Sequence, residues 1–426
     1  MPTRNPSFCD QRQANLYVSR VIPWVLGGII IYACYIFTKT LCIDYLLDPV
    51  PTTSGRNPRI ATGVALLTIF YVLLLLAIVT YIRLYFAVVF NRDIIPRGAN
   101  WIPDPETKHG ASRRSRSRRD SRSDSRPDNR EKTSQGHSRD VEASRGQIGA
   151  AANPLDDRGL EMFYTKDIFV CFDDGRPPWC TECWQFKTDR VHHSSDLGRC
   201  VRKLDHFCPW VGGVVSESSF KYFLQFVVYA AMWTGFVLIV LAIYMAELRR
   251  NRGDVNVHWA IGLALSAFFF LFTGGMSVTS IGLTVSNVTT IENLSRRSKV
   301  WTLAIYIGDS PDPSKTSYPF PIVAYPIPRK SSHDESTPSQ SRVFAVLQTK
   351  PGENPFDLGS PMKNLQQVLG YTLWDWLLPI KPSPCIDHSS PVSIYPMGPV
   401  VDRLRRQAKD WSSETSGRRN SRHHRR

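Results

Sequence analysis

Charged residues are absent from four long stretches of this 426-residue sequence, namely 21–38, 60–82, 222–246 and 259–286. A helix needs about 20 mainly apolar residues to cross the hydrocarbon core of a bilayer. Buried helices of a soluble protein rarely lack charge over such lengths, so that alternative is disfavoured. A cleaved signal peptide is also disfavoured for the first stretch, because polar residues precede it and no small-residue pattern follows. Transmembrane helices are predicted at 21–41, 60–83, 222–246 and 259–286.

Acidic residues are too few to balance the basic ones. The chain has 37 Asp and Glu against 52 Lys and Arg, a net charge of +15, and much of the excess falls at 113–126 and 403–426. Such patches bind polyanions, either nucleic acid or anionic lipid. Basic residues also favour the cytoplasmic side of a membrane, which predicts cytoplasmic termini and a cytoplasmic segment between spans two and three. Arg249, Arg250 and Arg252 in the second short loop argue against this orientation.

Large apolar residues are almost missing from residues 112–152. Such a segment cannot bury enough apolar surface to offset the entropy lost on ordering, so residues 104–155 are predicted to be disordered, and the basic tail at 400–426 likewise. Residues 112–122 read SRRSRSRRDSR, and Arg-Ser repeats also occur in RNA-associated proteins. No recognisable RNA-binding domain accompanies them, so contact with membrane lipids is favoured and no nucleic-acid partner is expected.

Cysteines are scarce and unevenly placed. Four of the nine, Cys180, Cys183, Cys200 and Cys208, lie within 29 residues, which favours a metal or catalytic site over a disulfide framework. Cys180 and Cys183 form a C-x2-C pair, and with His193 and Cys200 they would offer three thiolates and one imidazole to a structural zinc ion. Buried thiols without a metal are the alternative. A catalytic zinc is disfavoured, because four protein ligands leave no open position.

Four short motifs resemble those of the DHHC protein S-acyltransferases, or palmitoyltransferases. Asp-His-Phe-Cys-Pro-Trp at 205–210 is similar to the Asp-His-His-Cys-Pro-Trp core of that family, and Lys-Thr-Asp-Arg-Val-His-His at 187–193 to its Lys-Pro-x-Arg-x-His-His run. Thr-Thr-Ile-Glu at 289–292 matches its Thr-Thr-x-Glu, and Asn-Pro-Phe-Asp-Leu-Gly at 354–359 resembles its C-terminal motif. The core with Phe207 resembles a divergent fungal subgroup.

The resemblance implies a protein S-palmitoyltransferase, which takes a long acyl chain from acyl-CoA onto Cys208 and passes it to membrane-proximal cysteines of substrate proteins. His206 is expected to take the proton of the Cys208 thiol or to pair with the thiolate, and Asp205 to orient the imidazole. The acyl chain is expected to lie in a slot among the four helices that opens at Cys208. The alternative function is a catalytically silent, zinc-braced membrane scaffold.

Other residues are given supporting roles. The phosphates of acyl-CoA need cations, and the resemblance implies that Thr290 supports Asp205 and that Asn364 braces the C-terminal segment. The candidate cations are Lys187, Arg190 and His192.

The resemblance also implies a difference in metal content. The family binds two zinc ions, and none of the residues at the positions of the second site is a good zinc ligand here. One structural zinc ion is therefore predicted, with apolar packing in place of the second. The altered positions are Ser194, Leu197, Phe207 and Val214.

The predicted fold class is an all-α polytopic protein of an intracellular or plasma membrane, with four transmembrane helices and a small cytoplasmic zinc-binding domain. Its other predicted parts are a cytoplasmic N-terminal arm (1–20), the cysteine-rich catalytic domain (160–220) and a cytoplasmic C-terminal region (287–380).

Overall fold

The computed structural model describes residues 6–48, 58–99, 101, 159–309, 318–325, 341–384 and 395–409. The loop predicted to be disordered at 104–155 lies outside the described residues, as does the tail from residue 410. Within these ranges the chain forms a bundle of long helices, a series of short β-hairpins and a four-stranded sheet.

Four segments are long and apolar enough to cross a membrane, and they overlap the four predicted spans. The first helix already begins in the predicted N-terminal arm and changes to a π-helix over Tyr35–Leu47. A single-turn helix separates the second and third long helices in the chain. The helices are α1 (Pro6–Cys34), α2 (Ile60–Val89), the single turn α3 (Glu161–Tyr164), α4 (Glu217–Arg252) and α5 (Val257–Val285).

Aromatic side chains form the centre of the bundle. Phe37 stacks on Phe70 with ring centroids 4.3 Å apart, and Trp233 packs against Phe70 at 5.6 Å. The indole N–H of Trp259 donates to the hydroxyl of Thr40 over 2.9 Å. A buried polar group in an apolar layer needs such an internal partner, because hydrocarbon offers none.

The two ends of the bundle differ chemically. At one end, both terminal nitrogens of Arg59 lie 3.0 Å from the carboxylate of Glu247, which joins α2 to α4. At the other end, Asp93 accepts hydrogen bonds from the Ser216 hydroxyl (2.6 Å) and from the N–H and hydroxyl of Ser218 (2.7 and 2.8 Å). Asp93 therefore caps the first turn of α4 and fixes the exit of α2 beside it.

Three antiparallel hairpins lie at the end of the bundle marked by Asp93. The segment after α2 runs along the second hairpin, because the Ile95 N–H donates to the Cys200 carbonyl and the Arg202 N–H to the Asp93 carbonyl, each over 2.9 Å. The hairpins are β2 (Trp179–Cys180) with β3 (Gln185–Phe186), β4 (Val191–Ser194) with β5 (Arg199–Arg202), and β6 (His206–Cys208) with β7 (Gly213–Val215).

A four-stranded antiparallel sheet joins residues before the hairpins to residues after α5. Its order is β1-β8-β10-β9, and alternate residues of β8 face two separate apolar clusters. The prediction of an all-α protein is therefore wrong. The strands escaped prediction because they are short or pair with segments that are distant in the sequence. The strands are β1 (Ile168–Val170), β8 (Thr302–Asp309), β9 (Ile322–Tyr325) and β10 (Arg342–Gln348).

Short helices complete the C-terminal half. Residues 399–409 form helix α9, so the prediction of disorder from residue 400 is wrong for this part of the tail. Val401, Leu404 and Ala408 are three and four residues apart, and this spacing buries all three against the sheet residues Leu303 and Ile305. The other short helices are α6 (Thr290–Leu294), α7 (Pro361–Leu369) and α8 (Leu373–Leu377).

Candidate active site and metal centre

Four side chains of metal-ligand type meet in the first two hairpins. The ligand atoms of Cys180, Cys183, His193 and Cys200 all lie within 4.8 Å of one another. His193 Nδ1 is 3.5 Å from the sulfur of Cys180, 3.4 Å from that of Cys183 and 4.0 Å from that of Cys200. Three thiols and one imidazole at this spacing could hold a metal ion in a tetrahedral arrangement.

Hairpin geometry explains why these residues converge. Cys180 ends β2 and Cys183 lies in the following turn, so the C-x2-C spacing places both thiols on one side. Trp184 completes the turn with a φ of 54°, in the left-handed region. On the second hairpin, His193 lies directly opposite Cys200 in the strand register. Two local pairs are thereby brought to a common centre.

The crowded thiols compete for protons. The hydrogen bond with Cys200 is the largest cause that lowers the pKa of Cys180, and the same contact raises the pKa of Cys200. Burial raises the pKa of Cys183. A bound cation would replace these protons and allow all three thiolates to form together, so the donor set fits a metal.

A second polar group surrounds Asp205, just before β6. His206 Nδ1 lies 2.7 Å from Asp205 Oδ2. Thr290, the first residue of α6, donates its N–H to Asp205 Oδ1 over 2.9 Å and its hydroxyl to Oδ2 over 2.8 Å. Asp205 is buried, so these bonds fix the direction of its carboxylate, and the carboxylate in turn fixes the imidazole.

The protonation of His206 is set by opposing influences. Burial lowers the pKa of His206, but the hydrogen bond to Asp205 and the nearby Cys208 thiol outweigh burial and raise the pKa to about 9. The imidazole is therefore charged at neutral pH. Its Nε2 is buried and has no hydrogen-bond partner of good geometry among the described residues. Because Nδ1 is held by Asp205, Nε2 is the ring nitrogen that is not engaged by the carboxylate.

Cys208 lies where the hairpins meet the helix bundle. Its side chain is buried in an apolar cluster that includes Leu84 and Val88 of α2 and Phe220 and Phe223 of α4. The ring of Phe223 also packs on His206 at 5.1 Å. The sulfur is thus placed between the hydrogen-bonded Asp205–His206 pair and the apolar ends of two candidate spans. A nucleophile in this position can meet a reactant that is polar at one end and hydrocarbon at the other.

An apolar cavity lies farther inside the bundle, among α1, α4 and α5. Ile36, Trp233, Leu241 and Phe269 contribute to its lining. Cys208 does not border this cavity, so the slot predicted to open at Cys208 is not continuous with it in this conformation.

Comparison with known proteins identifies the family of this chain. The profile of the DHHC palmitoyltransferase family matches residues 174–297. Palmitoyltransferase pfa5 of Aspergillus fumigatus is 50% identical over 406 residues, which cover 93% of this chain and 91% of that protein. Palmitoyltransferase pfa5 of Emericella nidulans is 47% identical over 432 residues, 93% of this chain and 87% of that protein. This chain belongs to the DHHC palmitoyltransferase family.

In this DHHC protein, the third hairpin is stabilised by apolar packing. Phe207 and Val214 are cross-strand partners, and they share one cluster with Leu197, Val201 and Leu204. The hydroxyl of Ser194 accepts a hydrogen bond from the Leu197 N–H over 3.3 Å. These are the positions at which the family resemblance implies a second metal site, and here their apolar members pack on one another.

Arg190 does not lie where an acyl-CoA phosphate could reach it, so its prediction as a phosphate ligand is wrong. It is only 4% exposed and forms two bonds to Glu292, of 2.9 and 2.6 Å. It also donates to the side-chain oxygen and the carbonyl of Asn287, over 2.9 and 3.0 Å. A buried guanidinium needs such compensation, and four of its five N–H donors are used in this way.

Three further residues were predicted to take part in the site. Lys187 and His192 are partly exposed, and they lie just after β3 and within β4, respectively. Asn364 is buried, and its amide donates to the carbonyl of Val285 and to Asp357 Oδ1, each over 2.8 Å. It thereby joins the C-terminal segment to the end of α5.

Two residues of this framework were missed by sequence reasoning. The Thr-Thr-x-Glu motif includes Glu292 but does not indicate its partner, and no motif includes Asn287. Asn287 adopts a φ of 46° and also donates to the Phe356 carbonyl over 2.7 Å. The one available signal was an acidic residue that follows an apolar span and a Thr pair, since such a group requires a cationic partner if it is buried.

Proposed function

We propose that this protein transfers a long acyl chain, such as palmitate, from acyl-CoA to cysteines of other proteins through a thioester on Cys208. The observation that supports this most is the hydrogen-bonded series Thr290–Asp205–His206 beside the Cys208 sulfur. Such a series can hold a thiolate beside an imidazolium at neutral pH.

The proposed first step forms the acyl-enzyme. The thiolate of Cys208 attacks the thioester carbonyl of acyl-CoA, a new C–S bond forms, and the bond to the sulfur of coenzyme A breaks. The proton on His206 passes to the departing coenzyme A thiolate. Asp205 keeps the imidazole in the orientation that this transfer requires.

The second step moves the acyl chain to its acceptor. A cysteine of the substrate protein gives its proton to His206, and its sulfur attacks the carbonyl of the Cys208 thioester. The Cys208 thiolate leaves and is again paired with the imidazolium. Acceptors near the membrane surface are favoured, because Cys208 lies beside the ends of α2 and α4.

The metal would be one zinc ion held by Cys180, Cys183, His193 and Cys200. Four protein ligands leave no open position, so its contribution is to stabilise the hairpins. Lys187 and His192 remain the proposed cations for the phosphates of acyl-CoA.

The proposed orientation places both termini and the cysteine-rich domain in the cytoplasm, where acyl-CoA would be met. The exit of α2, the entry of α4 and the exit of α5 all lie beside this domain. In the sequence, the long basic segment falls between the second and third spans, and basic residues favour the cytoplasmic side.

Labelling of the purified full chain tests the proposal. Wild-type protein incubated with radiolabelled palmitoyl-CoA should acquire a hydroxylamine-sensitive label, and Cys208→Ser should not. Cys171→Ser is the matched control, because Cys171 is a buried thiol in another cluster and its loss should leave labelling intact. A wild-type protein that binds palmitoyl-CoA but never becomes labelled would support the silent-scaffold alternative.

A further inference from the structure

Tyr395 lies far from Cys208 in the sequence, yet it joins the framework that holds Asp205. Its ring packs on Phe356, with centroids 6.0 Å apart, and its hydroxyl donates to Glu217 Oε2 over 3.2 Å. Glu217 is the first residue of α4, so one buried side chain connects the C-terminal segment to the start of a candidate span.

The same ring borders the buried guanidinium of Arg190. The Arg190 Cζ atom lies 5.6 Å from the centroid of Tyr395 and 4.8 Å from that of Phe356. Both distances fall within the range of a cation–π contact. The two rings also exclude water from the ion pair between Arg190 and Glu292, which strengthens that pair because the local dielectric constant is low.

The ion pair is connected to the proton-transfer pair through one short helix. Glu292 and Thr290 both belong to α6, two residues apart. Glu292 is held by Arg190, and Thr290 holds Asp205 with two hydrogen bonds. A displacement of α6 would therefore disturb both the ion pair of Glu292 with Arg190 and the hydrogen bonds of Thr290 to Asp205.

We propose that Tyr395 is a positioning residue for acyl transfer, which acts through Arg190 and α6 to keep Asp205 aligned with His206. The proposal rests on the function proposed above for Cys208, His206 and Asp205. It also gives a role to residues 395–409, since α9 fixes this segment on the sheet.

The test compares two variants that each lose one buried hydroxyl. Tyr395→Phe removes the bond to Glu217, and Tyr325→Phe removes a 2.8 Å bond to the Gly175 carbonyl in the sheet cluster. The rate of Cys208 acylation should fall roughly fivefold in Tyr395→Phe and remain unchanged in Tyr325→Phe. Tyr395→Ala, which also removes the ring, should lose more activity than Tyr395→Phe.

The pH profile separates positioning from general destabilisation. The titratable groups that face His206 are Asp205 and Cys208, while Phe223 from α4 covers its ring. Loosening of Asp205 should move the alkaline limb of the acylation rate of Tyr395→Phe to lower pH. A purely structural defect would lower the rate by the same factor at every pH and would overturn the proposal.

Hydrogen–deuterium exchange gives a second readout that needs no activity. Amides of residues 289–294 should exchange faster in Tyr395→Phe than in wild type, and at the wild-type rate in Tyr325→Phe. Equal exchange in all three proteins would overturn the proposal even if the acylation rate had changed. An unlabelled wild type would instead refute the function proposed for Cys208, so the two failures are distinguishable.

Discussion

Two parts of the cysteine-rich domain are both built from β-hairpins, but different contacts hold them together. In the first two hairpins, three thiols and one imidazole converge within 4.8 Å, and few apolar side chains accompany them. In the third hairpin, Phe207 and Val214 pack in an apolar cluster, and this hairpin carries His206 and Cys208. The cluster of metal-type ligands and the Cys208 thiol therefore lie in different hairpins of one small domain.

Of the changes that test this comparison, loss of the metal ligands should have the largest effect on folding and activity. Cys200→Ser, or removal of zinc with a chelator, should unfold the first two hairpins, because binding of a structural zinc ion contributes on the order of 10 kcal/mol to folding. Metal analysis and hydroxylamine-sensitive labelling should both fall to background. A chelated, metal-free protein that retained full labelling would contradict this account of the first two hairpins.

Placing ligands at four positions of the second and third hairpins should change the metal content. The combined variant Ser194→Cys, Leu197→Cys, Phe207→His and Val214→Cys should raise the zinc-to-protein ratio from about one to about two. These positions are suitable because two of them are cross-strand partners and the other two share a hydrogen bond. The control is the same variant with the original Phe207. A zinc-to-protein ratio near two in the wild type would contradict the single metal site on which the comparison depends.

Trimming the apolar cluster should have a moderate effect that is independent of the metal. Val214 is 1% exposed, and Val214→Ala should lower the free energy of unfolding by about 2 kcal/mol. Val343→Ala, at an equally buried position in the sheet, is the matched control. Both variants should keep one zinc ion, as measured by metal analysis. A loss of zinc in Val214→Ala alone would contradict this, because it would mean that the metal cluster depends on the apolar packing of the third hairpin.

The smallest effect should come from pH. The pKa of His206 is raised to about 9 in the folded protein, so its contribution to stability is fully present below the unfolded value near 6.5 and is lost as the pH rises through about 9. The thermal midpoint of wild type should fall by about 2–4 °C more than that of His206→Gln between pH 7 and 9.5. Parallel curves would contradict the charged state assigned to His206.

The features predictable from sequence are those encoded over short distances. An uncharged apolar stretch identifies a candidate span by itself, and the C-x2-C pair with His193 and Cys200 identifies its metal cluster within 21 residues. Asp205 and His206 are neighbours in the chain, so their contact required no knowledge of the fold. Local spacing is sufficient in each case.

The features that escaped prediction depend on long-range pairing. Strand β1 pairs with β8, and Ile168 lies opposite Ile305, so neither segment reveals its partner. Arg190 looked like a surface cation because its burial depends on Glu292 and Asn287, about 100 residues later. Helix α9 has only three apolar residues at helical spacing within a basic tail. Their burial depends on the sheet, which was not predicted.

Peptide mapping by mass spectrometry after brief exposure to palmitoyl-CoA tests the central claim most directly. The peptide that contains Cys208 should carry one palmitoyl group, which neutral hydroxylamine removes and an added substrate cysteine discharges. The thiols of Cys180, Cys183 and Cys200 should remain unmodified. A palmitoyl group found on another cysteine while Cys208 stays unmodified would contradict the account.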